Sequence, residues 1–368
     1  MRRLRVGVVG LGYGQRVLIP AFRSAGRWDV VAVCAGSRER AQDVAERLGV
    51  PKAYGDWRHL VDDPGIDAVA IATPPPLQPA IAIAAAAARK HVFCEKPLAT
   101  SRAAAAEVVA AVQRASVANM IDFEFCMIAA WQRAKSLIES GMLGRLRHAT
   151  VLWQFETYTN RVGLTSWKSR PEDGGGVLNL FVSHALYNLD WLLGPMHRVS
   201  ARLWHHERGP GEGTNETGAM LCAVLRDSTP VSITVSNNAF LGGGHRLELY
   251  GEQGTLVLEN SSASYVRGFR LRVGRRQAER LCDVRVPGEP HVRGDDRIGP
   301  VARLAQRLFA WIEEGRPAGP TVSDGYRVQC VLDAVREADH AGRWVEVRDE
   351  APASAPAGLD ALRVRVSA

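Results

Sequence analysis

Residues 5–16 read Arg-Val-Gly-Val-Val-Gly-Leu-Gly-Tyr-Gly-Gln-Arg, a short apolar run that breaks directly into closely spaced glycines. Such a run suits a strand buried on both faces of a parallel sheet. Gly10 permits the tight turn that follows, and Gly12 lets a diphosphate approach the backbone. A helix starting at about Gln15 then points its unpaired N–H groups at that anion. Gly10, Gly12, Tyr13, Gly14 and Gln15 are therefore the expected cradle of a dinucleotide. A strict G-x-G-x-x-G would carry its third glycine at position 15, where this chain has Gln15, with Gly14 one place earlier. Glycine-rich turns also join strands to helices with no ligand. The preceding strand and the helix-compatible stretch 15–25 are what favour the dinucleotide.

The first third continues the alternation. Strand patterns at 5–9, 30–34, 68–72, 91–94 and 119–122 are separated by helical patterns near 15–25, 39–48, 57–61, 78–88 and 102–115. This predicts an α/β fold: a doubly wound parallel Rossmann sheet with ligands at the C-terminal ends of its strands. Near Phe123 the pattern changes to a helix at 129–140 and longer strands at 146–156, 199–205, 219–225, 231–235, 246–250 and 255–259. The links Arg226-Asp227-Ser228-Thr229-Pro230 and Gly251-Glu252-Gln253-Gly254 have hairpin chemistry. A C-terminal α+β domain with a large, open, mostly antiparallel sheet is expected, with helices at 301–314 and 324–341. The expected division is 1–122, 123–349 and a loose Ala/Pro-rich tail at 350–368.

The 368 residues are 46% hydrophobic and 23% charged, ordinary for a globular protein, with room for two cores. The net charge of +7 is compatible with a phosphorylated cofactor, but the basic residues form no block and read as compositional bias. No nucleic-acid-binding signature occurs, so nucleic acid is not an expected partner. The six cysteines are scattered with no C-x-x-C pair, which suggests reduced thiols in a cytoplasmic protein. No apolar run reaches membrane-spanning length, and glycines interrupt the only segment resembling a signal peptide. His205-His206 lacks a partner at ligand spacing, so no metal site is expected.

Further candidate residues fall at predicted strand ends. After the second strand stand Ser37 and Arg38, where an NAD-selective site usually presents an acid to the ribose 2′-hydroxyl. A hydroxyl and a guanidinium suit a 2′-phosphate, so NADP(H) is favoured over NAD(H), although Arg38 also reads as a solvated first-turn residue. Thr73, Pro74 and Pro75 make a stiff loop that would wall a ribose pocket or simply turn the chain. Glu95 and Lys96, fixed by Pro97, are costly to bury without purpose, the bland reading being a surface ion pair. A desolvated lysine there is suited to orienting a hydroxyl or moving a proton. Further on, Trp167 and Lys168 lead into Asp173-Gly174-Gly175-Gly176, followed by Asn179 and His184. A histidine can exchange a proton with a carbonyl oxygen as hydride arrives, though in an apolar helix it is often a core residue.

Taken together these segments resemble the glucose–fructose oxidoreductase / inositol dehydrogenase / rhizopine-catabolism (Gfo/Idh/MocA) family. The resemblance runs through Val6–Gly12, Ala72-Thr73-Pro74-Pro75, residues 90–99 with Glu95-Lys96-Pro97, the glycine run with His184, and Asp324-Gly325-Tyr326 with Gly342-Arg343-Trp344-Val345. It implies a nicotinamide cofactor between two domains, oligomer contacts through the C-terminal sheet, and pyranose, sugar-nucleotide or cyclitol substrates. It also implies catalytic roles for Lys96 and His184. Trp167, Lys168 and Asn179 are further candidates to line the substrate pocket. The chain departs from the pattern at Leu180, where the family carries an aspartate, at Phe181-Val182-Ser183, at Gln78 in place of a histidine, and at Cys126 in place of an arginine. The expected activity is interconversion of a secondary alcohol and a ketone. The alternatives are a non-catalytic NADP(H) sensor and a redox-assisted lyase or glycosidase.

Overall fold

The computed structural model describes residues 2–205, 215–290 and 292–349. The tail at 350–368 and His206 lie outside them. The first sheet comprises β1 (Leu4–Val9), β2 (Trp28–Cys34), β3 (Lys52–Tyr54), β4 (Ala68–Ile71), β5 (His91–Cys94) and β6 (Asn119–Ile121), in the order β3-β2-β1-β4-β5-β6. Every pairing is parallel. Ala68–Ile71 is buried at all four positions, because helices cover both faces and leave no solvent side for alternation. The helices start where side chains can satisfy their free N–H groups. Ser37, Asp56 and Ser101 cap Arg38–Leu48, Trp57–Asp62 and Arg102–Ala115.

The second sheet holds nine strands: β7 (Leu146–Gln154), β8 (Met196–His205), β9 (Glu216–Leu225), β10 (Pro230–Ser236), β11 (Gly244–Gly251), β12 (Gly254–Asn260), β13 (Arg270–Arg275), β14 (Cys282–Val284) and β15 (Val345–Glu346). Their order is β14-β13-β12-β11-β7-β10-β9-β8-β15. All pairs are antiparallel except β7 with β10. Both predicted hairpins close, joining β9 to β10 and β11 to β12.

The two C-terminal helices return to the first sheet's layers. Ile298–Glu314 packs on Ile19–Ser24, with Phe309 edge-on to Trp28 and the Trp28 indole donating to the Ala305 carbonyl at 3.0 Å. Val322–Ala341 packs on Arg102–Ala115, its first N–H bonded to Asn119 Oδ1. The strand ends of the first sheet are thereby held against residues from the last third of the chain.

Candidate active site

Gly10 sits at φ +92° and donates its N–H to the Cys34 carbonyl, and a Cβ there would collide with the Ala72 carbonyl. Only glycine meets both demands. A Cβ at Gly12, by contrast, would project into open space, which is the approach a diphosphate needs. At Gly14 a Cβ would press to 2.9 Å from Val8 Cγ1, so this glycine lets the helix lie close on β1. The helix opens with a wide turn, Ile19 N–H bonding Gly14 O, which holds one residue more than an α-turn. Gln15 Oε1 accepts from Arg47 at 2.6 Å and ties the loop to the neighbouring helix.

Ser37 Oγ accepts from the Arg40 N–H at 3.3 Å. The exposed Arg38 guanidinium makes no hydrogen bond or ion pair among the described residues. Thr73 Oγ1 is buried without a partner beside the diphosphate turn, and Pro75 beyond it is buried against Gly174. An orphaned hydroxyl at this edge fits a cofactor hydroxyl as its missing partner.

Beyond β5, the Lys96 ammonium donates to the Leu180 carbonyl at 2.8 Å. Burial pushes its pKa down, against the pull of Glu95 and Glu124. Gln78, fully buried, donates to the Pro97 carbonyl at 2.8 Å and braces this segment. His184, on the helix Ser183–Leu193, is buried, with its ring stacked on Phe125 at 4.9 Å and edge-on to Phe123. Its Nδ1 has no hydrogen-bond partner and lies 3.8 Å from Glu124 Oε2. Burial, then the positive charges of Lys96 and Arg297, hold its pKa well below the usual imidazole value. It is a neutral base near neutrality.

Sequence reasoning missed the groups around this pair. Asp122 and Glu124 are buried just past β6. Burial and the neighbouring Glu95 and Glu124 raise the Asp122 carboxyl far above the carboxylate range. The Tyr13 side chain reaches out of the glycine loop: its hydroxyl donates to Asp122 Oδ2 at 3.2 Å, and Arg297 lies over its ring. Arg297 is gripped by both oxygens of Asp295, at 2.8 and 2.7 Å. Burial and then Glu95 push Glu124 up to about 7, with Lys96 and Arg297 pulling the other way. His245 stacks face to face on Trp153 at 4.4 Å, and burial pushes it down to about 3. Phe155, Phe181 and Tyr265 complete an aromatic wall beside it. A signal for the acids existed, since Ile121-Asp122-Phe123-Glu124-Phe125 puts two carboxyls at a strand's C-terminal end. Arg297 and His245 stand alone in sequence and gave none.

The other expected residues divide. Trp167 and Lys168 form a short 3₁₀ turn with the ammonium 5.9 Å from the indole. Desolvation, then the charges of Lys96 and Arg297, lowers the Lys168 pKa, although the residue is exposed. Asn179, expected to line the pocket, is buried and bonded within the protein. Its amide nitrogen donates to Gly174 O at 3.0 Å and its oxygen accepts from Arg336 at 2.7 Å. Cys126, at the expected arginine position, is buried and donates to Phe123 O. All six cysteines are free. Among the described residues no cluster of His, Cys, Asp or Glu could hold a metal ion, and no helix is long and apolar enough to cross a membrane.

Residues 4–123 match the oxidoreductase family's NAD-binding Rossmann fold, and residues 135–347 match its C-terminal alpha/beta domain. An uncharacterized oxidoreductase of Synechocystis sp. is 32% identical, the match covering 94% of this chain and 96% of that protein. Levoglucosan dehydrogenase of Pseudarthrobacter phenanthrenivorans is 28% identical, covering 94% and 99% respectively. A solved levoglucosan dehydrogenase in complex with NADH and L-sorbose superposes with a TM-score of 0.84 at 26% identity, covering 95% of this chain and all of that one. The chain belongs to the Gfo/Idh/MocA family of NAD-binding oxidoreductases.

Proposed function

We propose that this protein interconverts a secondary alcohol and a ketone on a sugar or cyclitol-like molecule, using NADP(H) in preference to NAD(H). The reading is carried by one convergence. A half-buried lysine, Lys96, and a neutral imidazole, His184, come from separate elements to the strand-end edge that also holds the glycine turn. The turn at Gly10–Gly14 and the helix N–H groups behind it take the diphosphate. Thr73, Pro74 and Pro75 border the ribose, with Glu95 near the nicotinamide end. Bound there, the nicotinamide supplies a hydride acceptor or donor. Lys96 donates to the reacting oxygen and supports negative charge on it, while His184 removes or returns its proton. Trp167 and Lys168 line the mouth, and the wall of Trp153, Phe155 and Phe181 offers an apolar surface to a ring.

Arg38 and the hydroxyl of Ser37 support the phosphorylated cofactor, because a free guanidinium at a helix N-terminus suits a dianion. The six free thiols fit a cytoplasmic setting. The nine-stranded sheet exposes Leu152, Trp204 and Met220, a surface suited to a homo-oligomer.

The test is calorimetry with NADP⁺ and NAD⁺, followed by a panel of sugars and cyclitols with nicotinamide absorbance as the readout. Tighter NADP⁺ binding by about tenfold or more, abolished in Arg38→Ala, is expected. Uptake of neither nucleotide overturns the function. Product formation with no net change in absorbance would place the protein with redox-assisted lyases.

A further inference from the structure

Glu124 and His184 reach each other from different parts of the chain, the first opening the 3₁₀ turn Glu124–Met127 after β6, the second on the helix Ser183–Leu193. Both are buried, and the imidazole Nδ1 and the carboxylate Oε2 are 3.8 Å apart. That is about 1 Å beyond a charge-assisted hydrogen bond. Nδ1 has no other partner, an uncommon state for a buried ring nitrogen. Phe125 stacks on the imidazole and Phe123 meets its edge, so the ring is held with Nδ1 toward Glu124. The other nitrogen, Nε2, is the one left for a substrate.

We infer that Glu124 is the proton-accepting partner of His184, the carboxylate to which the imidazole passes the proton it removes from the substrate hydroxyl. This rests on the oxidoreductase reading above. In the oxidation direction the substrate O–H bond breaks and an Nε2–H bond forms. The Nδ1–H bond then breaks and a carboxyl O–H forms on Glu124, leaving a neutral imidazole with its tautomer reversed. The electron pair of the substrate C–H bond leaves with the hydride to the oxidised pyridine nucleotide, so the protein moves one proton and no electrons.

The surroundings suit the task. Glu95 and Lys96 face Glu124 from the end of β5, Asp122 from the end of β6 with Tyr13 behind it, and Arg297 from the segment before the last helix pair. His245 lies on the far side of the cluster, tilted against the Phe125 ring at 5.9 Å, and its charge also opposes protonation of His184. Burial and Glu95 oppose Lys96 and Arg297 so that Glu124 titrates at about 7, where it can both take and release a proton.

The experiment compares the wild-type protein with Glu124→Gln and Glu124→Asp in two readouts: the pH profile of kcat/KM for alcohol oxidation, and ¹⁵N NMR of the imidazole across pH. The His184 signal is assigned by its loss in His184→Asn. NADP⁺ calorimetry on each variant checks that the cofactor site is intact. The wild-type profile should climb with a midpoint near pH 7, and the His184 nitrogen shifts should move at the same midpoint. Glu124→Gln should lose both, with oxidation down about 10- to 100-fold at about pH 8. Glu124→Asp should restore the limb in part. An unchanged limb and unchanged nitrogen shifts in Glu124→Gln, with NADP⁺ still bound, overturn the inference and leave the oxidoreductase reading standing. Were the wild type to bind no nucleotide, that reading would fall, and the nitrogen shifts alone would still decide whether the two residues share a proton. If Glu124→Gln does not fold, the wild-type titration and Glu124→Asp decide it.

Discussion

The Lys96 ammonium is bonded at 2.8 Å to the main-chain oxygen of Leu180, joining the loop after β5 to the wide turn Leu178–Val182. The family resemblance places an aspartate at 180, a partner for the lysine or for substrate hydroxyls, where this chain has leucine. The backbone supplies that partner instead, since wide turns release carbonyls from the regular helical ladder. A side-chain substitution at 180 cannot remove it. Negative charge near Lys96 comes from Glu95 and Glu124.

Lys96→Met should therefore act on chemistry more than on folding. It deletes a half-buried charge and keeps most of the apolar stem. Turnover should fall about 10²- to 10³-fold, the usual cost of losing a donor to a developing oxyanion. NADP⁺ affinity should change only a few-fold by calorimetry. Undiminished turnover on a verified substrate would remove Lys96 from the mechanism.

The glycine turn allows two substitutions to be set against each other. In Gly10→Ala the new methyl meets the Ala72 carbonyl at a φ of +92°, so a loss of roughly 3 kcal/mol or more is expected. In Gly12→Ala the methyl enters open space. Thermal denaturation should show Gly10→Ala strongly destabilised and Gly12→Ala near wild type. Calorimetry should show Gly12→Ala binding nucleotide at least tenfold more weakly. If Gly12→Ala binds normally, no diphosphate occupies the turn.

The first sheet was legible because a strand buried on both faces is written as an unbroken apolar run, as in Ala68–Ile71. The edge strand Lys52–Tyr54 was not, being three residues long with an exposed lysine. The same holds for Arg270–Arg275, Cys282–Val284 and Val345–Glu346 near the sheet edges, where charge or brevity hides the alternation. Lys96 and His184 stood out as chemistry-bearing types beside recognisable motifs. Arg297 reaches the site only because the last helices fold back on the first sheet. No local pattern encodes that return.

Glu124 also makes stability depend on pH. Its folded pKa of about 7 lies above the ordinary value of 4.5, so the folded state holds the proton more tightly than the unfolded chain. The native state is then favoured at low pH and loses that advantage as pH rises from about 4.5 to about 7. Glu124→Gln, neutral throughout, should match wild type near pH 5 and exceed its Tm by on the order of 2–5 °C at pH 8. Differential scanning calorimetry at the two pH values checks this. A gain equal at both, or larger at pH 5, contradicts the raised pKa.

Asn179 provides the contrast between a structural and a functional polar residue. Its side chain joins Gly174 O to the Arg336 guanidinium, holding the glycine run to the helix Val322–Ala341. Asn179→Ala leaves the buried Gly174 carbonyl and the half-buried Arg336 guanidinium without this bond, at a cost of about 1–3 kcal/mol, or roughly 3–8 °C in Tm. Well below the transition its KM for substrate should stay within about twofold of wild type, because the side chain is buried and both amide atoms are bonded within the protein. A KM raised tenfold with Tm unchanged would return Asn179 to the substrate pocket and would mean that its bond to Arg336 breaks when substrate binds.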